Sequence, residues 1–203
     1  MKTPLTAVAV SCTLKPSPAS SSSDLLATQL LDALAGHGVT GSLVRAVDLS
    51  ISPGVQKDMG DGDEWPSVRR RILDADILVF VTPTWLGQHS SVAQRVLERL
   101  DAELSETDAR GRPTLFDKVA LAGIVGNEDG AHHIAAIVFQ ALGDVGFTIP
   151  AQASVYWNGE AMHTTDYQDL DETPEKVASA IGTAARNAAH LARLLKAQEY
   201  PAS

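Results

Sequence analysis

Ser11-Cys12-Thr13-Leu14-Lys15-Pro16-Ser17-Pro18-Ala19-Ser20-Ser21-Ser22-Ser23 separates an apolar run, Leu5 to Val10, from a leucine-rich stretch that begins near Asp24. The apolar run has the length and composition of a buried strand, and Leu25, Leu26, Leu30, Leu31 and Leu34 recur as one face of a helix. A strand that stops in a hydroxyl-rich loop and continues as a helix gathers free backbone N–H groups, the positive end of a helix dipole and several side-chain donors into one small volume. Such a volume attracts phosphate. Neither G-x-x-x-x-G-K-[ST] nor G-x-G-x-x-G occurs in the loop, so neither an NTPase loop nor a dinucleotide turn is indicated. The plainer alternative is a Ser/Pro loop with Ser23 as the helix N-cap.

The same alternation continues outward from this loop. Gly36 and Gly38 mark the helix end, where a left-handed residue is usual. Ser42 to Leu49 reads as a second strand. Ile77-Leu78-Val79-Phe80-Val81 reads as a central strand covered on both faces. Helical spacing returns in Ala93, Val96, Leu97, Leu100 and Leu104, and a fourth strand spans Val119 to Val125. Ile134, Ile137, Val138, Ala141, Leu142 and Val145 form the clearest helical stripe. Thr148 to Tyr156 is the fifth strand and Glu175 to Lys196 the closing helix. Strands alternating with helices predict one α/β domain, residues 1–203, with a five-stranded parallel sheet in the order 2-1-3-4-5 and helices on both faces. Sheets of this kind bind ligands beyond the carboxyl ends of the strands, where the strand order reverses.

Composition narrows the partners. The chain has 203 residues, 44% of them hydrophobic, which is enough for a full core. A formal net charge of -9 argues against nucleic acid or an anionic membrane surface as the main partner. No run reaches the length of a membrane span, and the single cysteine, Cys12, suits a reducing cytoplasm. The acidic stretch Asp58, Asp61, Asp63 and Glu64 lacks the calcium-loop pattern and reads as solvated loop. The long connection it belongs to, Ser50 to Glu64, could lie over the ligand side of the sheet.

Three loops follow the first, third and fourth strands. In the first, Thr13, Ser21, Ser22 and Ser23 are the candidate phosphate donors, with Ser11 at the strand end and Lys15 as a possible charge. Hydroxyl donors without a dedicated cation suit a monophosphate, and FMN is the leading candidate. The second loop, Thr82-Pro83-Thr84-Trp85-Leu86-Gly87-Gln88-His89-Ser90-Ser91, offers a stiff exit, an aromatic wall and a glycine that permits close approach of a flat ligand. The third, Val125-Gly126-Asn127-Glu128-Asp129-Gly130-Ala131-His132-His133, can present main-chain groups to a ring edge. As a helix start, its Glu128 and Asp129 equally well complement the dipole.

Taken together, these three loops resemble the flavodoxin-like NAD(P)H-dependent FMN reductases and quinone reductases, over roughly residues 5 to 160. The resemblance implies a flavodoxin-like three-layer sandwich. It assigns the FMN phosphate to Ser11, Thr13, Ser21, Ser22 and Ser23, and the flavin ring to Pro83, Thr84, Trp85, Leu86 and Gly87. Gly126, Asn127 and Gly130 would complete the pocket. It also implies NADPH or NADH as co-substrate, a small-molecule electron acceptor and a homo-oligomer.

Rival chemistries fare less well. His132 and His133 are adjacent and so point about 100° apart on a helix, whereas metal pairs favour i, i+4 spacing; no metal is expected. Cys12 lacks a partner for nucleophilic work, and Arg69-Arg70-Arg71 reads as one solvated helix face. Trp157-Asn158-Gly159 is placed at the substrate rim. The expected activity is two-electron transfer from a nicotinamide through FMN to a quinone, free flavin or similar acceptor, with no obligatory protein acid or base. Backbone N–H groups near Trp85–Gly87 and at Asn127 would stabilise charge on the reduced ring. The alternatives are a flavodoxin-type one-electron carrier and a cofactor-free interaction module of the same fold.

Overall fold

A computed structural model describes residues 4–161 and 163–202. Its centre is a parallel sheet of β1 (Leu5–Ser11), β2 (Val39–Arg45), β3 (Ile77–Trp85), β5 (Val119–Gly126) and β6 (Ser154–Asn158), in the order β2-β1-β3-β5-β6. The two-residue β4 (Gln88–His89) pairs antiparallel with the end of β3 alone. In sequence order of the five long strands this is 2-1-3-4-5, a flavodoxin-like α/β sandwich as expected.

Period-2 alternation sorts the strand side chains between two cores. Val8, Val10, Leu78, Phe80, Ala122 and Ile124 face one side, packed by α2 (Trp65–Asp74), α3 (Ser91–Leu100) and α4 (Ala131–Asp144). Ala7, Ala9, Val79, Val81, Leu121 and Val125 face the other, packed by α1 (Ser22–Ala35) and α5 (Glu175–Ala197). Burial on both faces explains why the central strands read as continuous apolar runs.

Several boundaries move, each for a physical reason. The second strand is Val39–Arg45 rather than Ser42 to Leu49, because it pairs from Leu5↔Val39 onward, and residues 46–48 form a 3-10 turn. Gly41 sits inside it: a Cβ there would lie 2.6 Å from Leu31 Cδ2, so the glycine lets α1 pack on the strand. Of the two glycines closing α1, only Gly38 (φ 75) is left-handed; Gly36 remains helical. The N-cap of α1 is Ser21, not Ser23. Leu25, expected inward, is exposed. Helix α3 stops at Leu100 and continues as a 3-10 turn, which leaves Leu104 in solvent. The fifth strand begins at Ser154, after Pro150 and the left-handed Gln152, and Thr148 keeps only an isolated bridge to Val119. The arginine run does not form one solvated face. Consecutive helix positions diverge by about 100°, so Arg69 reaches Glu103 while Arg71 reaches Ser42 and Leu43.

Candidate functional site

A cavity of about 390 Å³ opens at the carboxyl ends of β1, β3, β5 and β6, which is within the range of small-molecule sites. Its first end is the start of α1. Thr13, Ser21, Ser22 and Ser23 all line it, together with Leu14 and Lys15. The Ser21 hydroxyl accepts from Asp24 N at 3.4 Å, and that of Thr13 from Lys15 N at 3.2 Å, so the two hydroxyls also shape the loop. Ser11 stands apart: it is buried, donates to Asp24 Oδ1 at 2.5 Å and takes no part in the cavity wall. Asp24 Oδ2 meets Arg45 Nε at 2.7 Å, which balances a carboxylate in the first turn of α1. Arg45 also binds Ser17 Oγ (3.0 Å) and the Ala19 carbonyl (2.6 Å), while Asp48 accepts from Ser17 N (2.8 Å). The loop is thereby tied to the end of β2.

The second end is the exit of β3. Pro83, Thr84 and Trp85 line the cavity, but Leu86 and Gly87 do not. They are the central pair of the hairpin that joins β3 to β4, with Trp85 opposite Gln88. Both have φ in the left-handed region, 51° at Leu86 and 72° at Gly87, as tight two-residue hairpins demand. For a leucine this backbone costs about 1–2 kcal/mol. The Glu128 carboxylate accepts from both turn amides, Leu86 N at 2.9 Å and Gly87 N at 3.0 Å. Those N–H groups are therefore committed to Glu128 rather than free to stabilise a reduced ring. Gly130 (φ 128) is also off the wall: a Cβ on it would lie 2.8 Å from Gly87 Cα, so the two glycines press backbone to backbone.

Gly126 and Asn127 line the cavity with Val125 and Glu128. A Cβ at Gly126 would come within 2.6 Å of Thr84 Cβ, so this glycine lets the two rims close together. Thr84 Oγ1 and Asn127 Oδ1 are buried without a hydrogen-bond partner among the described residues. Buried polar atoms are ordinarily paired, and these two belong to residues of one cavity wall. Cys12, directly below the first loop, is fully buried, and burial pushes its thiol well above the usual range.

The remaining wall was anticipated from sequence only at Trp157. Trp157, expected at the rim, lines the cavity, and so do His163, Asp166 and Tyr167 from the connection after β6. Asn127 Nδ2 donates to Asp166 Oδ1 at 3.1 Å and to the His163 carbonyl at 3.4 Å. Tyr167 is buried beside Trp157, with ring centroids 5.6 Å apart, and donates to Gln29 Oε1 at 2.7 Å. Burial raises its phenol pKa above the ordinary value. Nothing periodic marks this segment; a lone tyrosine in a polar stretch is its only signal. Residues 50–64, by contrast, contribute nothing to the wall. His132 and His133 diverge as expected, toward Tyr156 Oη and Gln88 Oε1.

Comparison with known proteins follows the same lines. The chain is 42% identical over 169 residues to the divalent metal cation transporter MntH of Mycobacterium bovis, a match over 81% of this chain but only 25% of that protein. The chain thus spans about a quarter of that relative's length, and no helix among the described residues is long and apolar enough to cross a membrane. It is 33% identical to the 8-demethyl-8-aminoriboflavin-5'-phosphate synthase of Streptomyces davaonensis, over 97% of this chain and 80% of that one. The structure of RosB with bound 8-demethyl-8-formylriboflavin-5'-phosphate superposes with a TM-score of 0.86 at 32% identity, covering 97% of this chain and 82% of RosB. The NADPH-dependent FMN reductase profile matches residues 6–161. With the sheet order, the rim loops and these matches in agreement, the chain belongs to the NADPH-dependent FMN reductase family.

Proposed function

We propose that the cavity binds FMN and that the chain is a single-domain NAD(P)H-dependent oxidoreductase. It would pass two electrons to a quinone, a free flavin or a similar small acceptor. One observation carries this reading: a hydroxyl-lined helix start and two residues with orphaned buried polar atoms, Thr84 and Asn127, line one and the same cavity. The first suits a phosphate and the second the polar edge of a heterocycle. When bound, FMN supplies hydride acceptance from the nicotinamide and onward reduction of the acceptor.

The chain's own groups bind and orient. Thr13, Ser21, Ser22 and Ser23 with the amides of α1 hold the phosphate, and Lys15 adds a cation. Thr84 Oγ1 and Asn127 complete hydrogen bonds to the ring edge. Trp85 and Trp157 exclude water from its faces. Homo-oligomeric assembly and a cytoplasmic setting belong to the same proposal.

The likeness to RosB supports a second reading, in which a flavin phosphate is the substrate and is altered on its ring. An anaerobic titration separates the two. Bleaching of bound flavin by NADH or NADPH, with rapid reoxidation by a benzoquinone, supports the reductase. Release of a flavin phosphate of changed mass, without bleaching, supports the second reading. Ser22→Asp should weaken FMN at least tenfold by placing a like charge at the phosphate; unchanged affinity removes Ser22 from the site.

A further inference from the structure

We propose that Leu86 is a specificity-determining residue of this site, held outward by Glu128 to contact an apolar, flat second substrate at the cavity mouth. The inference rests on the FMN-binding reading above and names a residue that the cavity wall itself does not include.

Two unfavourable features coincide at Leu86. Its backbone is left-handed (φ 51), where Gly, Asn or Asp would fill the turn with little strain. Its side chain is 91% exposed, so no burial within the chain offsets that strain. Glu128 holds the conformation in place by accepting from both turn amides, while the next turn residue, Gly87, packs against Gly130. A rigid hairpin is thus aimed at solvent with an apolar tip. Strain of this kind persists where the surroundings over-determine it, and it gathers at ligand clamps.

The setting identifies the occupant. Trp85, adjoining Leu86, lines the cavity and is half-exposed; Leu14, from the first loop, lines the same cavity and is likewise exposed. Large apolar side chains from two loops of the cavity wall are therefore exposed where a second molecule could meet them. A partner copy is the poorer fit, since one protruding side chain falls far short of the roughly 1,000 Å² of a specific protein interface. A flat apolar molecule needs only these few contacts.

The test uses 2-methyl-1,4-naphthoquinone as probe. Its dissociation constant is measured by equilibrium dialysis on FMN-loaded, oxidised protein without reductant, for wild type, Leu86→Asn and Leu86→Met. Asn suits the turn and removes the apolar contact; Met restores the contact. The expected result is an approximately tenfold weaker probe constant in Leu86→Asn, near-wild-type binding in Leu86→Met and FMN affinity within twofold of wild type in both. The unfolding midpoint of Leu86→Asn should hold or rise by about 2–4 °C, because strain is relieved. Probe binding equal to wild type in Leu86→Asn overturns the contact. So does a fall in sedimentation coefficient with that variant, which would make Leu86 a contact between copies. Wild-type protein that takes up no FMN overturns the underlying reading instead.

Discussion

Two long connections leave the sheet at its ligand rim, and they are held in opposite ways. Residues 46–64 run from β2 to α2 around a buried ion pair, Arg99 Nη2 to Asp63 Oδ2 at 2.7 Å, with both side chains at 0% exposure. Arg99 also donates to the Ser52 and Gln56 carbonyls and lies 5.5 Å over the Trp65 ring. Residues 159–174 run from β6 to α5 with polar contacts that stay wet: Glu160 beside His163 at 3.2 Å and the ion pair of Lys15 with Asp166 at 3.7 Å. Only the second connection lines the cavity. The locked segment builds the scaffold, and the lightly held one closes the site. That division matches the general rule that ligand-binding segments come from the less stable parts of a fold.

The largest expected effect would test the locked side. Asp63→Ala leaves the Arg99 guanidinium buried without its counter-charge and should lower stability by about 3–5 kcal/mol in a urea titration. A loss under 1 kcal/mol would mean the two connections are not held differently. Acid tests the same pair without mutation. Burial opposes ionisation of Asp63, but Arg99 and the backbone N–H groups of Met59, Ser52 and Trp65 outweigh it and hold the carboxyl below its ordinary value of 3.8. Its contribution is therefore complete above about pH 4 and is lost as pH falls further. Hydrogen-exchange protection in 50–64, taken relative to the intrinsic rate at each pH, should fall below that pH while protection in 159–174 changes less.

Smaller effects belong to the wet side. Asn127→Ala removes the side chain that joins β5 to Asp166 and His163. FMN should weaken by about fivefold and exchange in residues 160–167 should quicken, with little change in 50–64. An unaltered exchange pattern would sever the link between rim and connection. The smallest change is Lys15→Ala. The half-exposed pair with Asp166 contributes under about 1 kcal/mol, so the unfolding midpoint should barely move. Any loss of FMN affinity in this variant should shrink as salt is raised.

Legibility from sequence divides along the same line. The strands of the sheet were readable because burial on both faces leaves continuous runs such as Ile77–Val81, and their alternation with helices fixed the order. Of the first loop's candidate hydroxyls, Thr13, Ser21, Ser22 and Ser23 reach the cavity because the loop runs straight into α1 there, while Ser11 turns to Asp24 instead. Leu86, Gly87 and Gly130 were assigned to the pocket through the family resemblance that their loops carry, and for Gly87 also through the close approach a glycine permits. Their positions depend on a hairpin one residue pair long and on a glycine–glycine contact, neither of which has a sequence period. Segment 163–167 was missed because its side chains are held by tertiary partners, Asn127 and Gln29, far away in the chain. Residues 50–64 looked functional because they are long and rich in glycine and aspartate, yet Asp63 serves a buried arginine.

Cys12 turns the end of β1 into its own reporter. It is the sole cysteine, sealed at the tip of β1 under the first loop, with a thiol kept protonated by its surroundings. A maleimide added to native protein can then react only when that layer of the molecule parts. Labelling rates, with and without added FMN, would time the breathing of the ligand rim with no engineered probe.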